Sequence, residues 1–324
     1  MMRLQDVSGQ YRTITGPVQA VNHVSFDILD DEIFGIAGES GCGKSTLLKL
    51  MYDIVRFPLE LTGGRVLLRT QKDGRIRELA SGEIQKAWWD EISYVPQAAM
   101  SVLNPVYRIE EQFYELFRRH RKSEGRQAMR TRVEQYLAEL NLPLDVLQAY
   151  PHQLSGGMRQ RVVIAMATFL HPGMIFADEP TTALDVVVQR NILMMLTELQ
   201  KKMQNTLVIV SHDMGVHYQI TNRLGIMYSG SLVELGPTEQ IFSRPLHPYT
   251  QMLIGALPRV GDHSEREGIP GAPPSLRNPP PGCRFAPRCK HACPACTQSI
   301  PELVEVEPGR FAACLRIDEL KGGA

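Results

Sequence analysis

No stretch of the 324-residue chain approaches the ~18 consecutive apolar residues that a membrane span needs. The opening segment MMRLQDVSGQ has no apolar signal-peptide core. The expectation from these two absences is a chain that does not cross a membrane by itself. An excess of either charge is also missing: Lys plus Arg total 35 and Asp plus Glu total 35, which argues against a protein built mainly to grip nucleic acid. There is no internal repeat of solenoid period and no low-complexity tract. Cysteine is nearly absent from the body of the chain. Cys42 stands alone in the first 282 residues, while Cys283, Cys289, Cys293, Cys296 and Cys314 crowd the last 42. A secreted disulfide scaffold would spread its cysteines over a much shorter chain, so a late cluster of this kind points instead to metal binding.

What is present is ordinary for a globular chain, with 43% hydrophobic and 22% charged residues, enough for one large α/β domain or two modest ones. Proline marks the clearest boundary. Seven of the 22 prolines fall between Pro258 and Pro281, together with Gly261, Gly268 and Gly271. Such a stretch holds neither a helix nor a central strand and reads as an extended linker, assigned to 256–282, between a body of residues 1–255 and a cysteine-rich tail of 283–324. In the body, short apolar runs at Ile33–Ala37, Ile92–Val95, Met174–Ala177 and Thr206–Val210 read as buried strands of a parallel sheet. Helix-period segments at Ser45–Tyr52, Arg126–Leu140, Ser155–Leu170 and Val187–Met203 alternate with them, predicting a doubly wound α/β sheet. Residues 98–170 read as almost entirely helical, a helical subdomain inserted into that sheet.

Three motifs carry chemistry. Gly38-Glu39-Ser40-Gly41-Cys42-Gly43-Lys44-Ser45, followed by Thr46, matches G-x-x-x-x-G-K-[ST] between an apolar run and a helix-forming one. Glycines there let backbone N–H groups cradle phosphate oxygens at a helix N-terminus; Lys44 would bridge the β- and γ-phosphates, and the Ser45 hydroxyl would ligate Mg²⁺. The run Met174–Ala177 ends in Asp178 and Glu179, which places one carboxylate to serve Mg²⁺ and the next to polarise an attacking water. Leu154-Ser155-Gly156-Gly157-Met158 lies ahead of that strand, with Ser155 able to cap the following helix and two glycines baring N–H groups at its positive end.

Together these segments resemble the nucleotide-binding subunit of ATP-binding cassette (ABC) transporters, from about Tyr11 to the end of the chain. The resemblance implies a P-loop, RecA-like parallel sheet core with an antiparallel β subdomain and an inserted helical subdomain. It implies that Gly38, Ser40, Gly41, Cys42, Gly43, Lys44, Ser45 and Thr46 bind ATP and that Asp178, Ser45 and Gln97 serve Mg²⁺. Gln97 resembles the Q-loop glutamine, which senses the metal and the water and borders the transmembrane partner. Glu179 is then the general base and His212, after Thr206–Val210, the switch histidine at the γ-phosphate. Tyr11 is similar in placement to the aromatic that stacks on adenine. Ser155, Gly156 and Gly157 would reach ATP held by a partner cassette, and Ala183-Leu184-Asp185 resembles the D-loop that crosses such a dimer.

Ser101-Val102-Leu103-Asn104-Pro105, Leu246-His247-Pro248-Tyr249-Thr250 and Gly282-Cys283-Arg284-Phe285-Ala286-Pro287-Arg288-Cys289 are similar to segments of the ATPase subunits of peptide/nickel-type importers. That narrower resemblance implies two transmembrane permease subunits, a sister ATPase subunit in a heterodimer, an indirect link to a solute-binding protein, no nucleic acid, and a peripheral place on the cytoplasmic face of the cell membrane. An alternative is an ABC ATPase subunit of a soluble, non-transport complex, phosphonate-degrading or associated with ribosomes or DNA. The frame Cys283-x5-Cys289-x6-Cys296-x17-Cys314 gathers four thiols suited to a soft metal centre. It resembles a module that carries a [4Fe–4S] cluster in some members of the subfamily, while Cys₄ zinc and reduced thiols or a disulfide remain open for the same residues. Cys293 falls outside the frame and reads as a spare thiol.

Overall fold

The structure is a computed structural model that describes residues 1–72, 75–97, 102–120, 125–257 and 268–321. Ala98, where the helical segment was expected to begin, Ser101 of the S-x-L-N-P segment, and Pro258 and Gly261 of the proline-rich stretch lie outside the described residues.

In chain order the first elements are β1 (Met2–Thr13), β2 (Gly16–Ile28), β3 (Ile33–Ala37), α1 (Lys44–Met51), β4 (Leu59–Lys72), β5 (Arg75–Ala80) and β6 (Ile92–Val95). They continue with α2 (Ile109–His120), α3 (Arg126–Glu139), α4 (Gly156–Thr168), β7 (Met174–Asp178), α5 (Val186–Met203), β8 (Thr206–Val210) and α6 (Met214–Ile220). The last are β9 (Arg223–Tyr228), β10 (Ser231–Pro237), α7 (Thr238–Ser243), α8 (Pro248–Gly255), α9 (Pro294–Gln298), β11 (Val304–Glu307), β12 (Arg310–Ala312) and α10 (Ile317–Lys321). The chain divides into two compact units, Met1–Ile84 with Val210–Ala324, and Gln85–Ile209.

The first unit holds an antiparallel sheet in the order β2-β1-β4-β5, and strands in the order β11-β12-β10-β9-β3. β3 and β9 are parallel, as buried all-apolar runs lead one to expect. Beyond β9 the direction reverses: β9 with β10, β10 with β12 and β12 with β11 are antiparallel. The parallel expectation covered Ile33–Ala37, Ile92–Val95, Met174–Ala177 and Thr206–Val210; β10 to β12, which were not read as strands, add antiparallel pairs and make the sheet mixed. The reason is local: Ser229 and Gly230 both take positive φ between β9 and β10, making a tight hairpin where a parallel pair would need a long crossover.

The cysteine-rich tail supplies β11 and β12. It is locked to β10 by Arg310, 1% exposed, which pairs with Glu234 at 3.4 Å and Glu307 at 3.0 Å. Glu234 in turn accepts the N–H groups of Leu246 and His247, both at 2.9 Å. His247 caps α8, its Nδ1 accepting from the Tyr249 N–H at 3.0 Å, and complete burial holds its pKa down at about 3. Most of the HPYT segment thus serves to dock α8 against β10 and the tail. Phe285, Tyr228 and Tyr249 form one buried aromatic cluster, and the half-buried Cys283 and Cys289 pack against the same core.

The second unit carries strands in the order β8-β7-β6, with β6 and β7 parallel. Among the described residues from 102 to 170 there are helices and turns and no strand. Phe113, Phe117, Tyr136 and Phe169 join α2 and α3 to the end of α4. Among the described residues no helix is long and apolar enough to cross a membrane.

Candidate functional site

In the first unit β3 is buried throughout and ends at Gly38, where φ is +149° and a Cβ would run into the Met227 carbonyl oxygen. Gly43, at φ +108°, caps α1, and a Cβ there would meet the Ala20 carbonyl. Among the described residues no side chain caps α1, which leaves its positive end to an anion. Lys44 is 5% exposed, and its ammonium donates to the Gly38 and Glu39 carbonyls at 2.8 and 3.0 Å. The loop's own oxygens thus hold the cation across the loop.

The buried Cys42 thiol has its pKa raised by desolvation, so it contributes packing and no charge. Tyr11, on β1, lies with its hydroxyl 3.2 Å from Thr46 Oγ1, which sets its ring beside the first turn of α1. Ser45 is half-buried on the same turn. His212 is exposed between Ser211, whose N–H donates to the Ile36 carbonyl of β3 at 3.3 Å, and Asp213, which caps α6 through Gly215 N–H at 2.8 Å.

Glu39 has two partners that sequence reasoning missed. Its N–H donates to Tyr249 Oη at 3.0 Å, and its carboxylate accepts from Arg288 Nη1 at 3.0 Å. Arg288 also donates to Tyr228 Oη at 3.2 Å, to the Pro270 carbonyl at 2.8 Å and to the Ile269 carbonyl at 3.1 Å. The HPYT and C-R-F-A-P-R-C segments that contain Tyr249 and Arg288 were visible in the sequence. Their contact with the phosphate loop was not, because it spans more than 200 residues.

In the second unit Asp178 closes β7, is 2% exposed, and accepts from Tyr94 Oη at 3.0 Å. Glu179 turns off the strand with φ +46°, a left-handed backbone that a non-glycine residue adopts only under constraint. Its carboxylate accepts from Gln97 Nε2 at 2.9 Å and Thr182 Oγ1 at 2.8 Å. The structure therefore brings together Gln97 and Glu179, and adds Tyr94 and Thr182, which no motif indicated.

Ser155 Oγ caps α4, accepting from Met158 N–H at 3.3 Å, and Asp185 Oδ1 caps α5, accepting from Val188 N–H at 2.9 Å. Gly156 opens α4. Gly157 lies against α5 so closely that a Cβ would sit 2.6 Å from Val188 Cγ1.

Cys283, Cys289, Cys296 and Cys314 line one small cavity of about 20 Å³ with His247, His291 and Arg316. All four are free thiols. Burial raises the Cys283 pKa to about 11 and also raises those of Cys289 and Cys314. Their donor chemistry suits a soft metal. Among the described residues, no three metal-ligating side chains stand close enough to share an ion. Cys293 is in contact with the frame: its Sγ lies 3.5 Å from that of Cys296.

A phosphate loop opening α1, a strand ending in Asp-Glu and an LSGG helix start define an ATP-binding cassette. Over residues 21–182 the chain matches the ABC transporter family, and over 233–296 the C-terminal region of oligopeptide/dipeptide transporters. A dipeptide transport ATP-binding protein from Caldanaerobacter subterraneus subsp. tengcongensis is 39% identical over 98% of both chains. A protein of the same description from Bacillus subtilis is 40% identical over 93% of this chain and 90% of its own. The chain belongs to the ABC transporter family, in its branch of oligopeptide/dipeptide-type ATP-binding subunits, and its cassette is an ATPase domain. Among solved structures, the ATP-binding cassette MJ0796, a dimer bound to ADP and Pi, superposes with a TM-score of 0.62 at 29% identity, over 74% of this chain and 99% of that one.

Proposed function

We propose that the chain is the ATP-hydrolysing subunit of an importer for dipeptides, oligopeptides or a related solute. Its partners on this reading are two transmembrane permease subunits, a sister cassette, and, indirectly, a solute-binding protein, which puts it on the cytoplasmic face of the membrane. The single observation that carries the reading is the Glu179 carboxylate, held by Gln97 and Thr182 beside a buried Asp178. A base fixed in this way is set to orient and deprotonate a water.

In this reading Lys44 leaves the Gly38 and Glu39 carbonyls for the β- and γ-phosphates, N–H groups of residues 40–46 cradle them, and Tyr11 packs on the adenine. Ser45, Asp178 and Gln97 are the residues that would hold Mg²⁺, which when bound would offset the charge of the phosphates. His212 contacts the γ-phosphate. Ser155, Gly156, Gly157 and Asp185 serve the nucleotide of the partner cassette. Glu179→Gln tests it: the assembled complex is expected to retain ATP and lose turnover, and normal hydrolysis in that variant would overturn the assignment. A role in a soluble, non-transport complex is less well supported, because the match to the oligopeptide/dipeptide C-terminal region reaches into the tail.

The proposal extends to Cys283, Cys289, Cys296 and Cys314 as holders of a [4Fe–4S] cluster, supported by their convergence on one cavity. When bound, such a cluster supplies a one-electron centre or a cross-link for the tail. Anaerobically purified protein is then expected to absorb in the visible and to carry about four irons per chain. A colourless, iron-free but folded tail would exclude it.

A further inference from the structure

Cys293 and Cys296 are separated by Pro294 and Ala295, and the Cys296 N–H donates to the Cys293 carbonyl at 2.9 Å. That turn brings the two sulfurs to 3.5 Å, van der Waals contact, against about 2.05 Å in a disulfide bond. The two thiols differ in access. Cys293 is half-buried and does not line the four-thiol cavity, whereas Cys296 is 8% exposed and does. Cys296 is further fixed through its carbonyl, which accepts from the Cys283 N–H at 2.8 Å. One sulfur is thus shared between two arrangements, the four-thiol frame and a contact pair with Cys293.

We infer that Cys293 and Cys296 form a redox-active dithiol, and that its oxidation withdraws Cys296 from the frame. The oxidant is a small-molecule disulfide. The Cys293 thiolate attacks one of its sulfurs, giving a mixed disulfide and releasing one thiol. The Cys296 thiolate then attacks the Cys293 sulfur, forming the intramolecular bond and releasing the second thiol. The protein loses two thiol protons and two electrons, and the small disulfide is reduced to two thiols. Because a sulfur bonded to Cys293 has no thiolate to offer a metal, the oxidised pair and a four-thiolate metal site exclude each other. Only this last consequence rests on the metal reading above.

The full chain, reduced anaerobically and then equilibrated across ratios of oxidised to reduced glutathione, is denatured and alkylated, and its cysteine peptides are mapped. The expected result is one two-thiol oxidation joining Cys293 to Cys296, absent in Cys293→Ser at the same ratios. A disulfide joining another pair first, or six alkylated cysteines at the most oxidising ratio, would overturn the inference.

Zinc(II) added as a probe separates the consequence. Uptake by the reduced wild-type chain, its loss on oxidation, and uptake by Cys293→Ser under both conditions support it. Undiminished uptake by a wild-type chain already shown to carry the Cys293–Cys296 bond would overturn it. Absence of uptake in every sample counts against the four-thiol metal reading, and the peptide map still decides the dithiol.

Discussion

Arg288 donates to the carboxylate of Glu39 at 3.0 Å, joining the cysteine-rich tail to the second residue of the phosphate loop. The arginine side chain is only 6% exposed and the glutamate 23%, so water screens the pair less than it would a surface ion pair. With Tyr249 Oη accepting from the Glu39 N–H, the loop is gripped by both of the segments that distinguish this branch of the family.

Arg288→Ala is expected to loosen that grip. Loss of a charge-assisted hydrogen bond of about 1.5 kcal/mol corresponds to roughly tenfold weaker ATP binding. Equilibrium binding of a fluorescent ATP analogue measures this. Arg288→Lys, which keeps the charge but loses the fork of donors, is expected to recover only part of it.

Gly157 is expected to tolerate a methyl group only if Val188 gives way. Gly157→Ala alone should destabilise by about 1–3 kcal/mol through overpacking of α4 on α5. In the double variant with Val188→Ala, the melting temperature is expected to return towards that of the parent.

His217 provides a pH signature. It is fully buried, with Nε2 on the Ser211 carbonyl at 3.1 Å and no partner for Nδ1 among the described residues. Burial lowers its pKa to about 4, whereas an unfolded histidine titrates near ~6.5. Between those values the unfolded chain holds a proton that the folded chain refuses. Its contribution to stability is therefore complete above about pH 6.5 and is lost as pH falls towards 4. Melting temperatures across that window are expected to fall less steeply in His217→Gln.

Cys314→Ser removes the one frame cysteine that follows β12, and is expected to abolish iron incorporation while leaving the ATP affinity of the cassette within about threefold. Iron analysis of anaerobically purified wild type and variant, beside a nucleotide titration, checks both parts. The serine oxygen is a poor replacement for a soft thiolate ligand.

Much of this structure was readable in advance where chemistry is local. The predicted strands Ile33–Ala37, Ile92–Val95 and Thr206–Val210 have the same limits as β3, β6 and β8, and Met174–Ala177 is one residue short of β7. Continuous apolar runs bounded by turn residues leave little freedom. The phosphate loop and the Asp178-Glu179 pair were legible for the same reason. The hold of Gln97 and Thr182 on Glu179 was half legible: Gln97 came from a family motif, and Thr182 from nothing. Arg288 on Glu39 and Arg310 on Glu234 were invisible, because ion pairs closed by tertiary folding leave no periodicity. The antiparallel turn of the sheet beyond β9 was missed because Ser229-Gly230 is a short signal inside a long apolar stretch.

The place of β12 has a consequence for how the protein is made. The strand that flanks β10 comes from residues 310–312, whereas the phosphate loop was translated more than 250 residues earlier. Until those late residues leave the ribosome, one side of β10 has backbone N–H and C=O groups without strand partners, and Glu234 is buried without its arginine. The nucleotide-binding half is thus a structure of high contact order that closes only after residues 310–312 have been made. A chain halted between α8 and β11 would carry every residue of the phosphate loop and still present an open sheet edge to its neighbours.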